Sequence, residues 1–344
     1  VFPQGKKEVW EVELKDGRKE KCCDEHLWTV YSRTRNERNR EKLVTYTLKE
    51  MITKGVKNNK GYRFSLPINS PIHKDEKQFY IPPYIMGLFL GDASFRSQPS
   101  NRCFNFSSPN EELPKAIAQT MGWSYKRNSL KNYNWTFYSH GMMIHVEDAL
   151  REYPELINTY SYNKFIPSDY LNSSIQQRKE LLMGLLDTDG HVDENKGRVS
   201  YSTTSNRLRD NVVELCRSLG MIATVYMDKR EERKYCWHIQ IMCNKEEKAE
   251  LFSYKPKKDR AIQYCNSDKR TEHRDRIQIM SIKDLGYETE MTCFLVDNDE
   301  HLFLTNDYIV THNTRVAVAD LTSVGAMEIW NDEDQDFIVN DNYQ

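Results

Sequence analysis

The stretch Leu182-Met183-Gly184-Leu185-Leu186-Asp187-Thr188-Asp189-Gly190 decides how this chain folds. It ends an apolar helix expected over 178–190. A looser copy, Ile85-Met86-Gly87-Leu88-Phe89-Leu90-Gly91-Asp92-Ala93, follows Pro82-Pro83, and its acid lies 97 residues before Asp189. In both, a glycine holds the third place and a carboxylate follows five residues later, where the helix stops. Gly87 and Gly91 share one helix face, as do Gly184 and Thr188. Small residues on one face let two helix backbones approach closely. Side-by-side packing would bring Asp92 and Asp189 together at one end. Two carboxylates there repel unless divalent cations lie between them. Hard oxygen ligands are what Mg²⁺ requires, and paired metals can clamp an in-line phosphodiester displacement. Taken singly, either helix also fits an ordinary core element capped by Asp.

Outward from these helices the same order recurs. After the first come strands expected at 102–106 and 133–139, a helix at 110–121 between them, and a helix at 144–152. After the second come a strand at 199–204, a helix at 205–220 closed by Gly220, and paired strands IATVYM and YCWHIQIM. This reads as a weak internal duplication. Residues 205–276 hold 17 Lys/Arg against 12 Asp/Glu, a mild basic bias suited to phosphate contacts.

The two ends read as β structure. Residues 7–30 alternate at strand period and turn at Asp16-Gly17, a hairpin signal. Residues 31–76 are short, mixed and polar and read as a linker. Residues 276–313 return to alternating runs broken by turn residues and end in Val310-Thr311-His312-Asn313-Thr314. An Asn amide can attack its own backbone carbonyl, forming a succinimide and cutting the chain. A preceding His can move the proton, and a following hydroxyl is a potential nucleophile. Cys22, Cys23 and His26 also admit a metal-cluster reading, although adjacent cysteines are awkward ligands.

Composition bounds the alternatives. The length, 344 residues, suits two domains, and 38% hydrophobic with 11% aromatic content can build cores. No apolar run approaches the ~18–20 residues of a membrane span. Eight cysteines without a CxxC pair point away from a disulfide scaffold or zinc ribbon and toward reduced thiols in a cytoplasmic protein. The net charge of −2 hides a split: residues 314–344 carry seven acids and one base, leaving a basic excess in 1–313. Such a split suggests a chain of unlike parts, the basic one a candidate for nucleic acid.

The second acidic helix resembles the LAGLIDADG signature of homing endonucleases in six of nine letters, and the first in three, Gly87, Leu88 and Asp92. The spacing is about one repeat of that family. Asn163-Lys164-Phe165-Ile166-Pro167 looks like the Lys-x-Ile-Pro block that precedes the second helix in intein-borne members. The resemblance implies Asp92 and Asp189 as ligands of two or three shared Mg²⁺ ions. It also implies double-stranded DNA gripped by curved sheets, and a basic residue near each acid. Lys126 or Lys131 in the first half, and Lys229 or Lys234 in the second, are candidates; each also fits a solvated surface lysine.

The end segments resemble the splicing blocks of inteins, which have the Hint fold. Cys23-Asp24-Glu25-His26 looks like the Thr-x-x-His block, with Cys23 in place of Thr and His26 polarising the N-terminal scissile peptide. The segment 294–303 looks like the block that carries an Asp and a His, here Asp297 and His301. Residues 310–313 look like the terminal block, with His312 and Asn313 followed by Thr314. The resemblance implies a first Cys or Ser upstream of Val1, in a truncated stretch or a separate N-intein, and a host extein after Asn313. The expected architecture is multidomain: an all-β Hint (intein) domain over 1–75 and 277–313, interrupted by a pseudo-two-fold α+β LAGLIDADG endonuclease domain over 76–276, with 314–344 as C-extein. A prokaryotic or phage-type host is implied. Its expected activities are Mg²⁺-dependent double-strand DNA cleavage and, with the upstream piece, protein splicing. The alternatives are a DNA- or RNA-binding maturase that does not cut, and a Hint self-processing domain beside a decayed endonuclease.

Overall fold

A computed structural model of the chain describes residues 2–32, 42–59, 61–129, 133–228, 235–243, 245–267, 275–293, 296, 300–313, 328–331 and 336–339. Its contacts divide into two units: Val1–Asn69 with Asp275–Gln344, and Ser70–Arg274. The divisions fall at 69/70 and 274/275, beside the expected 75/76 and 276/277.

The first unit is built on one six-stranded sheet. Its order is Lys19–Cys22, Phe2–Leu14, Arg276–Cys293, Phe64–Pro67, Leu27–Ser32 and Lys42–Thr47. The long Phe2–Leu14 and Arg276–Cys293 strands pair antiparallel through three register shifts, which bend the ladder. Val9, Val12, Leu14, Trp28, Val30, Phe64, Leu66, Ile277 and Ile279 form its buried side. The hairpin turns at Asp16-Gly17 as the sequence reads, with Gly17 at φ +88°. The buried Arg18 guanidinium donates to Asp16 at 2.7 Å and to the backbone oxygens of Asp307 and Tyr308 at 3.0 and 2.9 Å, tying the turn to the C-terminal loop. The expected linker over 31–76 is corrected in part. Residues 42–47 form a strand, and helix Leu48–Lys54 opens on a Thr47–Glu50 capping box. Leu302–Leu304 pairs with Val310–His312 in a separate hairpin. Of the expected extein, Glu328–Asn331 and Asp336–Val339 form a hairpin; Thr314 and the rest of 314–344 lie outside the described residues.

The second unit repeats one pattern twice. Each acid helix, Pro83–Asp92 and Ile175–Asp189, runs straight into a short strand, Ala93–Ser94 or Gly190–Val192. That strand edges a sheet ordered 93–94, 105–107, 134–139, 124–127 in one half and 190–192, 199–203, 236–242, 222–228 in the other. A helix, Glu112–Met121 or Asn206–Ser218, lies between the second and third strands of each half. The helix expected over 144–152 shortens to Val146–Ala149. The core is continuous across the unit, and Phe89, Phe104, Trp123 and Phe137 cluster within it.

Candidate functional site

The two acid helices meet through their glycines. A Cβ on Gly87 would sit 2.8 Å from the Leu185 nitrogen and 2.9 Å from Gly184 Cα; one on Gly184 would sit 2.9 Å from the Leu88 nitrogen. No larger residue fits there without moving backbone. Buried Leu and Phe side chains surround the contact on nearly every face, as expected of helices at the centre of a domain. The helices end side by side, and the Asp189 charge acts on Asp92.

Burial, then Asp189, pushes the Asp92 carboxyl up to about 7; burial also raises Asp189. The opposing charges are Lys164 and Lys257. The Lys164 ammonium donates to the backbone oxygens of Phe89, Leu90 and Ala93 at 3.2, 2.9 and 2.7 Å. Lys257 donates to those of Leu186, Asp187 and Thr188 at 2.9, 2.9 and 2.7 Å. Each lysine thus caps the carbonyl end of one acid helix, where orphan C=O groups and the negative dipole favour a cation. Burial lowers Lys164 to about 8.

The lysines are held differently. Lys164 sits in a loop fixed to helix Asn206–Ser218: Ser205 Oγ donates to the Lys164 oxygen at 2.6 Å, and the Ile166 N–H donates to Asn211 at 3.0 Å. Lys257 lies in the first turn of helix Lys255–Ser267. Asp187 Oδ2 accepts the N–H groups of Ser253 and Tyr254 at 3.1 and 3.0 Å, and the Tyr84 hydroxyl at 2.9 Å. A carboxylate therefore anchors the start of the helix that carries Lys257. The matching residue of the first helix is Leu90.

Lys164 and Lys257 were not among the expected basic residues. Lys126 is exposed on strand 124–127 and is not among the charges that act on Asp92 or Asp189. Lys131, Lys229 and Lys234 lie outside the described residues. The signal for Lys164 was its Lys-Phe-Ile-Pro block; Lys257 had no motif, only its place in a Lys-rich helix start.

The site fits divalent cations. Two adjacent carboxylates offer hard oxygen donors, and the buried Tyr201 hydroxyl beside them has no hydrogen-bond partner. Among the described residues no three His, Cys, Asp or Glu side chains gather to hold an ion alone.

In the first unit, the end-segment residues converge on a cavity of about 250 Å³ lined by Cys23, His26, Cys293, Thr311 and Asn313, among others. His26 Nε2 lies 2.6 Å from Thr311 Oγ1, and burial lowers His26 to about 4. Cys293 Sγ lies 3.2 Å from Asn313 Oδ1. The Asn313 N–H donates to the His301 oxygen at 2.7 Å, and His312 Nδ1 contacts the Asn313 oxygen. His301 and His312 are 6.0 Å apart by ring centres. Burial lowers His312. Neither Thr311 nor Cys293 was among the expected site residues: Thr311 lies inside the terminal block, which singled out only His312 and Asn313, and Cys293 lies in a plain β run. Asp297 lies outside the described residues.

Residues 176–254 match the model of the LAGLIDADG-like domain. The replicative DNA helicase DnaB of Mycobacterium intracellulare is 27% identical over 252 residues, which is 72% of this chain and 38% of that protein. The chain thus spans little more than a third of that relative. Among solved structures, the homing endonuclease I-DmoI in complex with DNA and Ca is 12% identical over 54% of this chain and 97% of that one, at a TM-score of 0.36. The homing endonuclease I-WcaI bound to its DNA recognition sequence is 16% identical, over 54% and 81% of the two chains, at 0.33.

Proposed function

We propose that the second unit is a divalent-metal-dependent endonuclease that cuts double-stranded DNA. The observation that carries this reading is the acid pair at the crossing of two glycine-faced helices, one of them inside the matched LAGLIDADG-like segment. Asp92 and Asp189 would hold the cations, with Mg²⁺ the expected ion. Bound there, the cations supply Lewis-acid activation of the phosphate and a water of lowered pKa. Lys164 and Lys257 hold positive charge beside the acids, which offsets their repulsion and favours the charge that develops on the phosphate. The glycine contact keeps the acids at one fixed spacing.

The first unit supports a second reaction, of the Hint (intein) type. There Asn313 Nδ2 attacks its own carbonyl carbon to form a succinimide, the bond to Thr314 breaks, and the proton lost from Nδ2 passes to the Thr314 nitrogen, which leaves as a free amine. The Cys293 thiol donates to Asn313 Oδ1 and fixes the amide, and His312 Nδ1 stands at the scissile oxygen to pass a proton. His26, held by Thr311, is the candidate for polarising the N-terminal scissile peptide of such an element. Likeness to part of a replicative helicase fits an element carried inside a host protein.

The test incubates the full chain with Mg²⁺ and duplex DNA carrying the uninterrupted host gene. A double-strand break at one site is expected. Binding without a break favours the maturase reading instead.

A further inference from the structure

We infer that Gln240 reads an adenine in the half of the DNA site served by Asp189, and that the matching position of the other half, Thr136, reads nothing. This rests on the proposed DNA cleavage and adds which side chain selects sequence.

The register makes the two halves comparable. In the first, one row crosses the sheet through Ser94, Asn105, Thr136 and Lys126. In the second, one row runs through His191, Ser200, Gln240 and Thr224. Each row begins two residues after its acid, so the rows are counterparts. Their neighbours along the strands, Phe106 and Phe137 in one half and Tyr201 and Ile239 in the other, are buried in the core. Side chains alternate along a strand, so both rows point out of the core, on the face next to the acids.

The third place differs in chemistry. Thr136 is only 4% exposed, and its hydroxyl lies 2.9 Å from Asn105 Oδ1 and 2.7 Å from Asn128 Oδ1. Asn105 Nδ2 donates to the Cys103 oxygen at 3.0 Å. This network leaves the Thr136 hydroxyl engaged within the sheet. Gln240 is half-buried between the shorter Ser200 and Thr224, and among the described residues its carboxamide carries no hydrogen bond. The next row of its half is engaged: Ser202 Oγ lies 2.9 Å from His238 Nδ1, and Tyr226 stacks on His238 at 5.2 Å. A free carboxamide offers one acceptor and two donors at fixed spacing. That pair matches the N6 donor and N7 acceptor of adenine in the major groove, which strands as well as helices can enter.

The test selects the full chain against a randomised duplex library by binding in Ca²⁺, then sequences the bound pool. Wild type should enrich adenine at one position on the Asp189 side. Gln240→Ala should flatten that position, with roughly tenfold loss of preference, and keep the others. Gln240→Glu, which only accepts, should shift it toward cytosine. Thermal melting checks that both variants are folded. The inference is overturned when folded Gln240→Ala keeps the wild-type profile. A wild type that enriches no sequence overturns the DNA reading, and this inference with it.

Discussion

Replacing Asp92 by Asn should make the metal-free protein more stable at alkaline pH. The folded state holds the Asp92 carboxyl at about 7 against an ordinary 3.8, because burial and Asp189 disfavour its charge. Between those values the folded protein keeps a proton that the unfolded chain releases. Stability from this group is therefore full below pH 3.8, falls as pH rises, and is lost above about 7. Three pKa units at ~1.36 kcal/mol each set a ceiling of about 4 kcal/mol. Asp92 is half-buried rather than sealed, so solvent screening reduces the expected effect to about 2 kcal/mol. Asn cannot ionise and escapes this loss. Urea titrations in EDTA at pH 4 and pH 8 measure it. The Asp92→Asn variant should gain about 2 kcal/mol over wild type at pH 8 and show little difference at pH 4. Added Mg²⁺ should stabilise wild type alone. Equal stability of the two proteins at pH 8 refutes the picture of an acid whose burial outweighs the charge of its neighbouring lysines.

Gly87→Ala places a Cβ 2.8 Å from the Leu185 nitrogen, so it should cost about 1–3 kcal/mol or more in urea midpoint, with the slope unchanged. Cys293→Ala removes the thiol at Asn313 Oδ1 and should slow release of residues 314–344 several-fold, read as the rate of tail appearance on a gel, while DNA cutting stays at the wild-type rate.

Much of the second unit was legible because its chemistry sits in short sequence runs. Gly87, Gly184, Asp92 and Asp189 are fixed by one nine-residue pattern, and the same pattern dictates the helix contact. The lysines were harder. Lys257 reaches the site only because Asp187 pins the start of its helix, a tertiary contact with no sequence period. Lys126 looked equally basic but lies out on a strand. In the first unit, His26, His312 and Asn313 were legible as blocks. Thr311 and Cys293 were not legible as site residues, since they matter through side-chain contacts to His26 and Asn313 that only the tertiary fold brings together. The stretch 31–76 read as a linker because its strands are short; the Thr47–Glu50 capping box was the overlooked sign of a helix.

The central claim is that one acid from each helix cuts DNA, independently of the chain-cleaving chemistry at Asn313. Denaturing gels that follow both strands of the selected duplex in Mg²⁺ test it directly. Wild type and Asn313→Ala should cut both strands, and Asp189→Asn should cut neither at a measurable rate while still releasing the tail. Wild-type cutting by a folded Asp189→Asn protein contradicts the account.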